Sequence, residues 1–213
     1  MSLPAASCVV DTVVLRYFLM ADEVDLLLRV VGSPIAVPTI VFDPEEPPEA
    51  GDAAKSEIAL SIAYQRQASR DPARDRESRG ESERAAERLA RTADLHAVGD
   101  LVVLDLTETE LELLGRATSP TGCRTFGLRF PLHAGEAACL ALAVERNLVL
   151  ATDDQDALRA LDAHAPGHPY QRIRRLLIDA GEQKLCTKSH ANRIHGEMRR
   201  LGFWDREAPF PTA

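Results

Sequence analysis

The sequence predicts an α/β protein whose central sheet is mainly parallel. Short apolar stretches, each long enough for one buried strand, alternate along the chain with longer stretches of helical periodicity. A chain in which strands alternate with helices in this way usually builds a parallel sheet. Four strands are predicted, over residues 8–10, 35–37, 101–106 and 148–151.

Helices are predicted where apolar residues recur every three or four positions. Thr107 and Glu110 resemble a capping box, and Gly32 and Gly202 stand where two helices should end. A helix that is apolar on nearly every side begins near Glu136 and leads into the fourth strand. The other predicted helices cover residues 12–20, 23–31, 57–67, 83–96, 170–180 and 189–201.

The chain of 213 residues is predicted to form a single domain that carries two additions. The first is a charged, helical or flexible insertion at about residues 49–99. Within it, residues 70–82 have mixed charge and few apolar side chains, so this tract is predicted to be flexible. The second addition is a helical C-terminal extension at about residues 168–205.

The composition is that of an ordinary globular protein, with 45% hydrophobic and 27% charged residues. No apolar run reaches the roughly 18 residues that suggest a membrane span, so no membrane partner is expected. No basic region precedes Val9, which argues against a secretory signal. The four cysteines are scattered without a CxxC pair, and this fits the reducing cytoplasm, where the protein is expected.

The net charge of −8 argues against nucleic-acid binding through the overall field, yet the charge is uneven. Residues 167–206 contain nine basic and four acidic residues, a local balance of +5. These basic residues could contact an RNA backbone or could be the solvated faces of amphipathic helices. Phe203 and Trp204 could stack on a base or anchor the last helix.

Acidic residues stand at strand ends and helix starts at four places along the chain. They are Asp11, Asp43 (with Glu45 and Glu46 close behind), Glu136, and the pair Asp153 and Asp154. Ligands of parallel sheets bind beyond the carboxyl ends of the strands, where Asp11 and this pair are predicted to stand. Carboxylates without sulfur or nitrogen ligands suit Mg²⁺ or Mn²⁺ rather than zinc. Such a site can hydrolyse a phosphodiester, because the metal polarises the phosphate and lowers the pKa of an attacking water.

Each of these acids also has a purely structural explanation. Asp11, Asp153 or Asp154 could cap the helix that follows it. Asp43 could belong to a proline turn, and Glu136 could stabilise a helix start through the helix dipole. The four acidic positions taken together favour a metal site over a series of unrelated helix caps.

Three segments carry a further pattern, in the order VVDTVVLRYF, IAVPTIVFD and LHAGEAACLALAVERNLVLATDD. These segments resemble the PIN-domain family, and the resemblance leaves out the region 49–99. The C-terminal stretches RIRRLLIDAGEQ and HANRIHGEMRRLGFWD look like the helical ending of a prokaryotic PIN subgroup. The resemblance implies a three-layer α/β/α sandwich with a short central sheet.

The resemblance also implies a Mg²⁺- or Mn²⁺-dependent endoribonuclease. Asp11 matches the first acid of the family, and Glu136 matches the acid at the start of the central helix. Asp154 matches the later acid that stands two positions after a threonine, with Asp153 as the neighbouring candidate. These four residues are the expected metal ligands.

The second acid of the family usually ends a short helix after the second strand, where this chain has Pro44. Asp43 is therefore expected to complete the catalytic set, with Glu45 and Glu46 as substitutes. This departure leaves open an alternative, a catalytically impaired PIN-like module that binds a protein or RNA partner. A phosphoaspartate mechanism is a further rival, but all three lysines lie outside the core units, so none suits it.

RNA is the expected substrate, and two residues could contact it. Arg16, five positions after Asp11, could reach a phosphate or could simply be a solvated residue of its helix. Thr152 could approach the RNA, or it could hold an acid in place. Many small bacterial PIN proteins are toxins that an antitoxin neutralises. An antitoxin and a second copy of the chain are therefore the expected candidates for protein partners.

Overall fold

The chain folds as an α/β/α sandwich around a parallel sheet, which confirms the predicted fold class. A computed structural model describes residues 6–46 and 55–211. In these residues the spatial order of the strands is β3-β2-β1-β4-β5, and every neighbouring pair is parallel. The strands are β1 (Cys8–Val10), β2 (Ile35–Pro38), β3 (Leu101–Leu104), β4 (Val149–Ala151) and β5 (Tyr170–Gln171).

Helices connect the strands and cover the sheet, so β1 and β2 are buried over their entire length. Burial on both faces explains why these strands are continuously apolar rather than alternating. None of the helices in the described part of the chain has the length and apolar character that crossing a bilayer requires. They are α1 (Thr12–Met20), α2 (Val24–Val31), α3 (Glu57–Arg70), α4 (Arg76–Val98), α5 (Glu108–Thr118), α6 (Ala134–Glu145), α7 (Gln155–His164), α8 (Ile173–Glu182) and α9 (Lys188–Arg200), with a 3-10 turn at Gly122–Phe126.

The strand order changes direction at β1, the central strand. The chain places β2 and β3 on one side of β1, and β4 and β5 on the other. Val9 is in register with Ala36 of β2 and with Leu150 of β4. Because all strands run the same way, the carboxyl ends of β1 and β4 lie at one edge of the sheet. Ligands of α/β proteins bind at such a switch point.

The region predicted as an insertion contributes a helical hairpin to the core. Helices α3 and α4 pack against each other, and α4 also packs against α1 and β3. The prediction that residues 70–82 are flexible is wrong from Arg76 onward, because Asp75 caps α4 by accepting a bond from the Ser78 N–H at 2.8 Å. The buried side chains of this hairpin include Ile58, Ile62, Ala85, Ala86 and Leu89.

The C-terminal region adds a fifth strand, at residues that the sequence analysis assigned to a helix. Tyr170 and Gln171 pair with Leu150 and Ala151, so α8 begins only at Ile173. Pairing with the open edge of β4 satisfies backbone groups that the first turn of a helix would leave without partners. The periodicity of apolar residues in the sequence cannot predict that the edge of β4 is open for pairing.

Phe203 anchors the segment that follows α9. Its side chain is buried, and its ring centroid lies 5.2 Å from that of Tyr17 and 5.8 Å from that of His195, both in edge-to-face arrangements. The anchoring explanation is therefore confirmed for Phe203. Trp204, in contrast, is 51% exposed.

A buried ion pair joins the start of α5 to the end of α6. Glu110 is 1% exposed and accepts hydrogen bonds from Nε and Nη2 of Arg146 at 2.6 and 2.9 Å. The same carboxylate accepts a bond from the Thr107 N–H at 2.6 Å, so the predicted capping box is present. The contact with Arg146 lowers the pKa of Glu110 to about 2.

We expect Arg146→Ala to lower the free energy of unfolding by about 3 kcal/mol, because it leaves the charge of Glu110 buried without its cation. Urea unfolding measures this change. Arg159→Ala is the matched control, since its ion pair with Asp156 is exposed and should contribute less than about 1 kcal/mol. Equal losses in the two variants would contradict the assignment of Glu110 and Arg146 as a structural brace.

Candidate functional site

Thr152 joins the two acids that stand at the ends of β1 and β4. Asp11 is 1% exposed, and its N–H donates to the carbonyl of Ala151 at 2.9 Å. The Thr152 hydroxyl donates to Asp11 Oδ2 at 2.7 Å and accepts from the Asp154 N–H at 3.1 Å. The carboxylate of Asp11 makes no capping bond to α1, so its side chain is not merely a helix cap.

Glu136 approaches the same place from the first turn of α6. Its Oε2 accepts a hydrogen bond from the His133 N–H at 3.1 Å, which holds the carboxylate at the helix start. Helix α6 packs against β1, β2 and β4, so the core sets the position of this acid. The negative charges of Asp154 and Asp11 both raise the pKa of Glu136. Asp11, Glu136 and Asp154 are therefore close enough for their charges to interact.

Glu57, the first residue of α3, is the fourth acid of this group, and the sequence analysis did not identify it. Its carboxylate accepts hydrogen bonds from the Gly135 N–H, at 3.2 Å, and from the Thr12 hydroxyl. These donors are the chain neighbours of Glu136 and Asp11, and the charge of Glu57 raises the pKa of both acids. We call Asp11, Glu57, Glu136 and Asp154 the acid cluster.

Asp43 was expected to complete the catalytic set, and the structure shows its side chain taking part in a local turn. Asp43 Oδ1 accepts a hydrogen bond from the Glu45 N–H at 2.9 Å, which is the turn chemistry considered above. Glu45 is exposed, and Glu46 accepts bonds from the N–H groups of Lys55 and Ser56 just before α3. In the described residues, Asp43 thus takes part in a turn after β2, and Glu46 binds the backbone just before α3.

A local signal for Glu57 is present in the sequence. Ser56 caps α3 by accepting a bond from the Ala59 N–H at 3.4 Å, and buried Ile58 and Ile62 follow it. Glu57 is therefore an acid in the first turn of a helix, as Glu136 is. The family spacing pointed to the acids directly after β2 instead, whereas α3 begins only at Glu57.

Asp153 is not a member of the acid cluster, although it was a predicted metal ligand. Its Oδ1 accepts from Arg172 Nε at 3.1 Å, and its Oδ2 accepts from the Ile173 N–H at 2.7 Å. Both oxygens are thus used to hold the start of α8. Asp154 caps α7 with Oδ1, which accepts from the Ala157 N–H at 2.7 Å, while its charge acts on Asp11 and Glu136.

The two predicted RNA contacts differ in their surroundings. Thr152 is 1% exposed, so it holds Asp11 in place and cannot reach a ligand as large as RNA. Arg16 is half-buried, with its guanidinium carbon 5.3 Å from the ring centroid of Tyr17. It lines an open groove of about 380 Å³ between α1 and α3. A phosphate contact by Arg16 stays a prediction.

Burial and the repulsion of neighbouring acids keep protons on two members of the acid cluster, Asp11 and Glu136, to unusually high pH. Burial, with the negative charges of Glu57 and Asp154, raises the pKa of Asp11 from 3.8 to about 6, against the opposing hydrogen bond from Thr152. Burial, with the charges of Asp154, Asp11 and Glu57, raises the pKa of Glu136 from 4.5 to about 7. A cation at the cluster would relieve the repulsion that these shifts reflect.

Asp11 Oδ1 is buried and has no hydrogen-bond partner among the described residues. A buried carboxylate oxygen without a partner is unfavourable. Within residues 6–46 and 55–211, no group of three or more His, Cys, Asp or Glu side chains is arranged so that it could hold a metal ion. Mg²⁺ needs only one or two direct carboxylates and keeps several waters. The donor chemistry of the cluster therefore fits a hydrated hard cation, held by Asp11 with help from its neighbours.

The raised pKa of Asp11 gives a pH prediction with a definite sign. Between about pH 4 and 6 the native state holds more protons on this group than the unfolded chain does, so its contribution to stability falls as pH rises. Without metal, we expect Asp11→Asn to be more stable than wild type by about 2–3 kcal/mol at pH 7.5. This difference should shrink toward pH 5.

Urea unfolding in EDTA at the two pH values measures this difference. Comparing the two proteins at each pH removes the contributions of groups that do not interact with Asp11, such as His195. The charge of Asp11 raises the pKa of Glu136, so the difference reports on the titration of these two acids together. A difference that is the same at pH 5 and pH 7.5 would contradict the shifted titration of Asp11.

Comparison with known proteins identified no relative of this chain. No family model matches the chain, and no curated protein or solved structure matches it. The function of the acid cluster is therefore inferred from its own chemistry.

Proposed function

We propose that this protein is a Mg²⁺- or Mn²⁺-dependent endoribonuclease of the PIN type. The main support is the convergence of Asp11, Glu57, Glu136 and Asp154 at the carboxyl ends of β1 and β4, with one oxygen of Asp11 left without a partner. These ligands are all oxygen donors, the type that these two cations prefer. With Glu57 in place of Asp43, the set of four acids that the resemblance leads one to expect is filled.

The four acids would divide the work according to their surroundings. Asp11, buried and held by Thr152, would provide the central ligand for the cation. Glu57 and Asp154 each bind a backbone N–H through one oxygen, which orients the carboxylate before any ligand arrives. When bound, the cation would stabilise charge on the phosphodiester and lower the pKa of the attacking water. Glu136 would share the charge of the cation and orient its waters.

The alternative, a PIN-like binding module without catalysis, loses its main argument. That argument was the proline in the expected position of the second acid, and Glu57 offers a substitute from α3. RNA is the proposed substrate. The antitoxin and the second copy of the chain stay predictions.

Cleavage of a structured RNA in the presence of Mn²⁺ tests the proposal directly. We expect Asp11→Asn and Glu57→Gln each to reduce the cleavage rate by at least about a hundredfold, because removing a charge that holds the cation weakens the transition-state stabilisation. Asp43→Asn should cleave like wild type, because the side chain of Asp43 accepts a hydrogen bond from its own turn. The proposal fails if wild-type protein does not cleave, or if Asp11→Asn retains full activity.

Gly135→Ala tests the cluster without changing any charge. A Cβ at residue 135 would collide with the carboxylate of Glu57, which must then move away from the cluster. Residue 135 is buried, but the Glu57 carboxylate that the Cβ would meet lies at the end of a flexible side chain and can move aside. We therefore expect a loss of metal-free stability of about 1 kcal/mol. The rise in melting temperature that Mn²⁺ causes should, however, be largely lost.

Thermal unfolding with and without Mn²⁺ measures both effects. Gly115→Ala is the matched control, because a Cβ at residue 115 meets nothing within 4 Å. A full Mn²⁺ response in Gly135→Ala would show that Glu57 does not hold the cation.

A further inference from the structure

A basic groove with an exposed aromatic ring lies on the C-terminal region, outside the acid cluster. Its volume is about 580 Å³. It combines three exposed arginines with Trp204, which is about half exposed, above the buried ring of Phe203. The lining residues are Gly196, Arg199, Arg200, Phe203, Trp204 and Arg206.

Trp204 is held in position by contacts on two sides. Its ring centroid lies 5.9 Å from that of Phe203, which is itself packed against Tyr17 and His195. The guanidinium carbon of Arg172 lies 5.0 Å from the centre of the Trp204 ring. A large aromatic ring that is fixed by such contacts yet half exposed provides a surface on which a base can stack at little entropic cost.

The arginines of the groove have few partners within the protein. Arg200 forms an ion pair with Glu197, whereas Arg199 and Arg206 have no ion pair among the described residues. Residues 196–206 contain two acids: Glu197, which pairs with Arg200, and Asp205, whose charge acts on His195 and Asp153. Exposed arginines without internal partners are suited to phosphate groups, which they contact through two parallel hydrogen bonds.

One side chain connects this groove to the acid cluster. Arg172 donates from Nε to Asp153 Oδ1 at 3.1 Å, and its guanidinium stands over the ring of Trp204. Asp153 is the chain neighbour of Asp154, a member of the cluster. Arg172 therefore joins the groove to the segment after β4 that carries Asp154.

We propose that this groove binds single-stranded RNA, with Trp204 stacking on a base and Arg199 and Arg206 contacting the phosphates beside it. The ligand class rests on the proposed ribonuclease function, whereas the binding surface is a separate feature of α9 and the segment after it. The surface would hold the RNA that the acid cluster cleaves.

Trp204 is the one tryptophan of the chain, so intrinsic fluorescence reports directly on the groove. We expect a single-stranded RNA oligonucleotide to quench this fluorescence when titrated into wild-type protein in EDTA, where cleavage is absent. Polyglutamate should compete only weakly and should not quench, because it has charge but no bases. Binding of the RNA without a change in Trp204 fluorescence, or equal quenching by polyglutamate, would overturn the inference.

Variants separate stacking from charge, with RNA affinity measured by anisotropy of a labelled oligonucleotide. Trp204→Ala and Trp204→Leu should bind about tenfold more weakly, while Trp204→Phe should recover most of the affinity because it keeps a ring. The double variant Arg199→Gln with Arg206→Gln should reduce the slope of log affinity against log salt by about 1.4. Unchanged affinity in Trp204→Ala would overturn the inference.

Arg76→Gln with Arg84→Gln is the charge-matched control, because these exposed residues lie on α4, which packs beside β3 at the opposite edge of the sheet. It should keep the wild-type salt dependence. Thermal melts confirm that each variant is folded. Quenching without any cleavage would defeat the nuclease proposal alone, whereas cleavage with variant affinities equal to wild type would defeat the groove alone.

Discussion

The structure depends most on the crowding of like charges at the carboxyl ends of β1 and β4. Parallel strands bring these ends to one edge, and the helix starts that pack there add further carboxylates. Asp11 is buried, with the Thr152 hydroxyl bound to one oxygen and no partner for the other in the part of the chain that the structure describes. Its pKa is raised to about 6, mainly by burial. Core packing must offset the resulting repulsion. The fold therefore concentrates unfavourable electrostatics where a cation would relieve them, a pattern typical of functional sites.

The α3–α4 hairpin, which lies in the region predicted as an insertion, is part of the core of the domain. Its apolar side chains enter the core, and its first residue, Glu57, contacts the backbone of Gly135 at the start of α6. Because a Cβ at residue 135 would occupy the position of the Glu57 carboxylate, the contact between this carboxylate and the Gly135 backbone requires glycine. The hairpin thus supports both the stability of the domain and the composition of the acid cluster.

Adjacent acids at the end of β4 have different tasks, for a geometric reason. Successive side chains of an extended segment point to opposite sides. Asp154 therefore faces α7 and the acid cluster, whereas Asp153 faces α8 and pairs with Arg172. Arg172 in turn stands over Trp204. The same dipeptide thereby connects the proposed catalytic centre to the C-terminal region, whose basic residues give it a charge opposite to that of the whole chain.

The sequence alone could predict the α/β class, four of the five strands in the described residues and the capping box at Thr107. It could also predict the grouping of Asp11, Glu136 and Asp154. Each follows from a local apolar pattern, a capping signal, or the rule that parallel strands end at one edge. Membership of the PIN family and ribonuclease activity stay predictions. The tertiary structure decided the rest: that Tyr170 and Gln171 pair with β4, that Glu57 rather than Asp43 joins the cluster, and that Asp153 serves α8. Each outcome depends on a group that packing brings near from a distant part of the chain: the open edge of β4, the Gly135 N–H, or the Arg172 guanidinium. The order of residues along the chain does not contain that information.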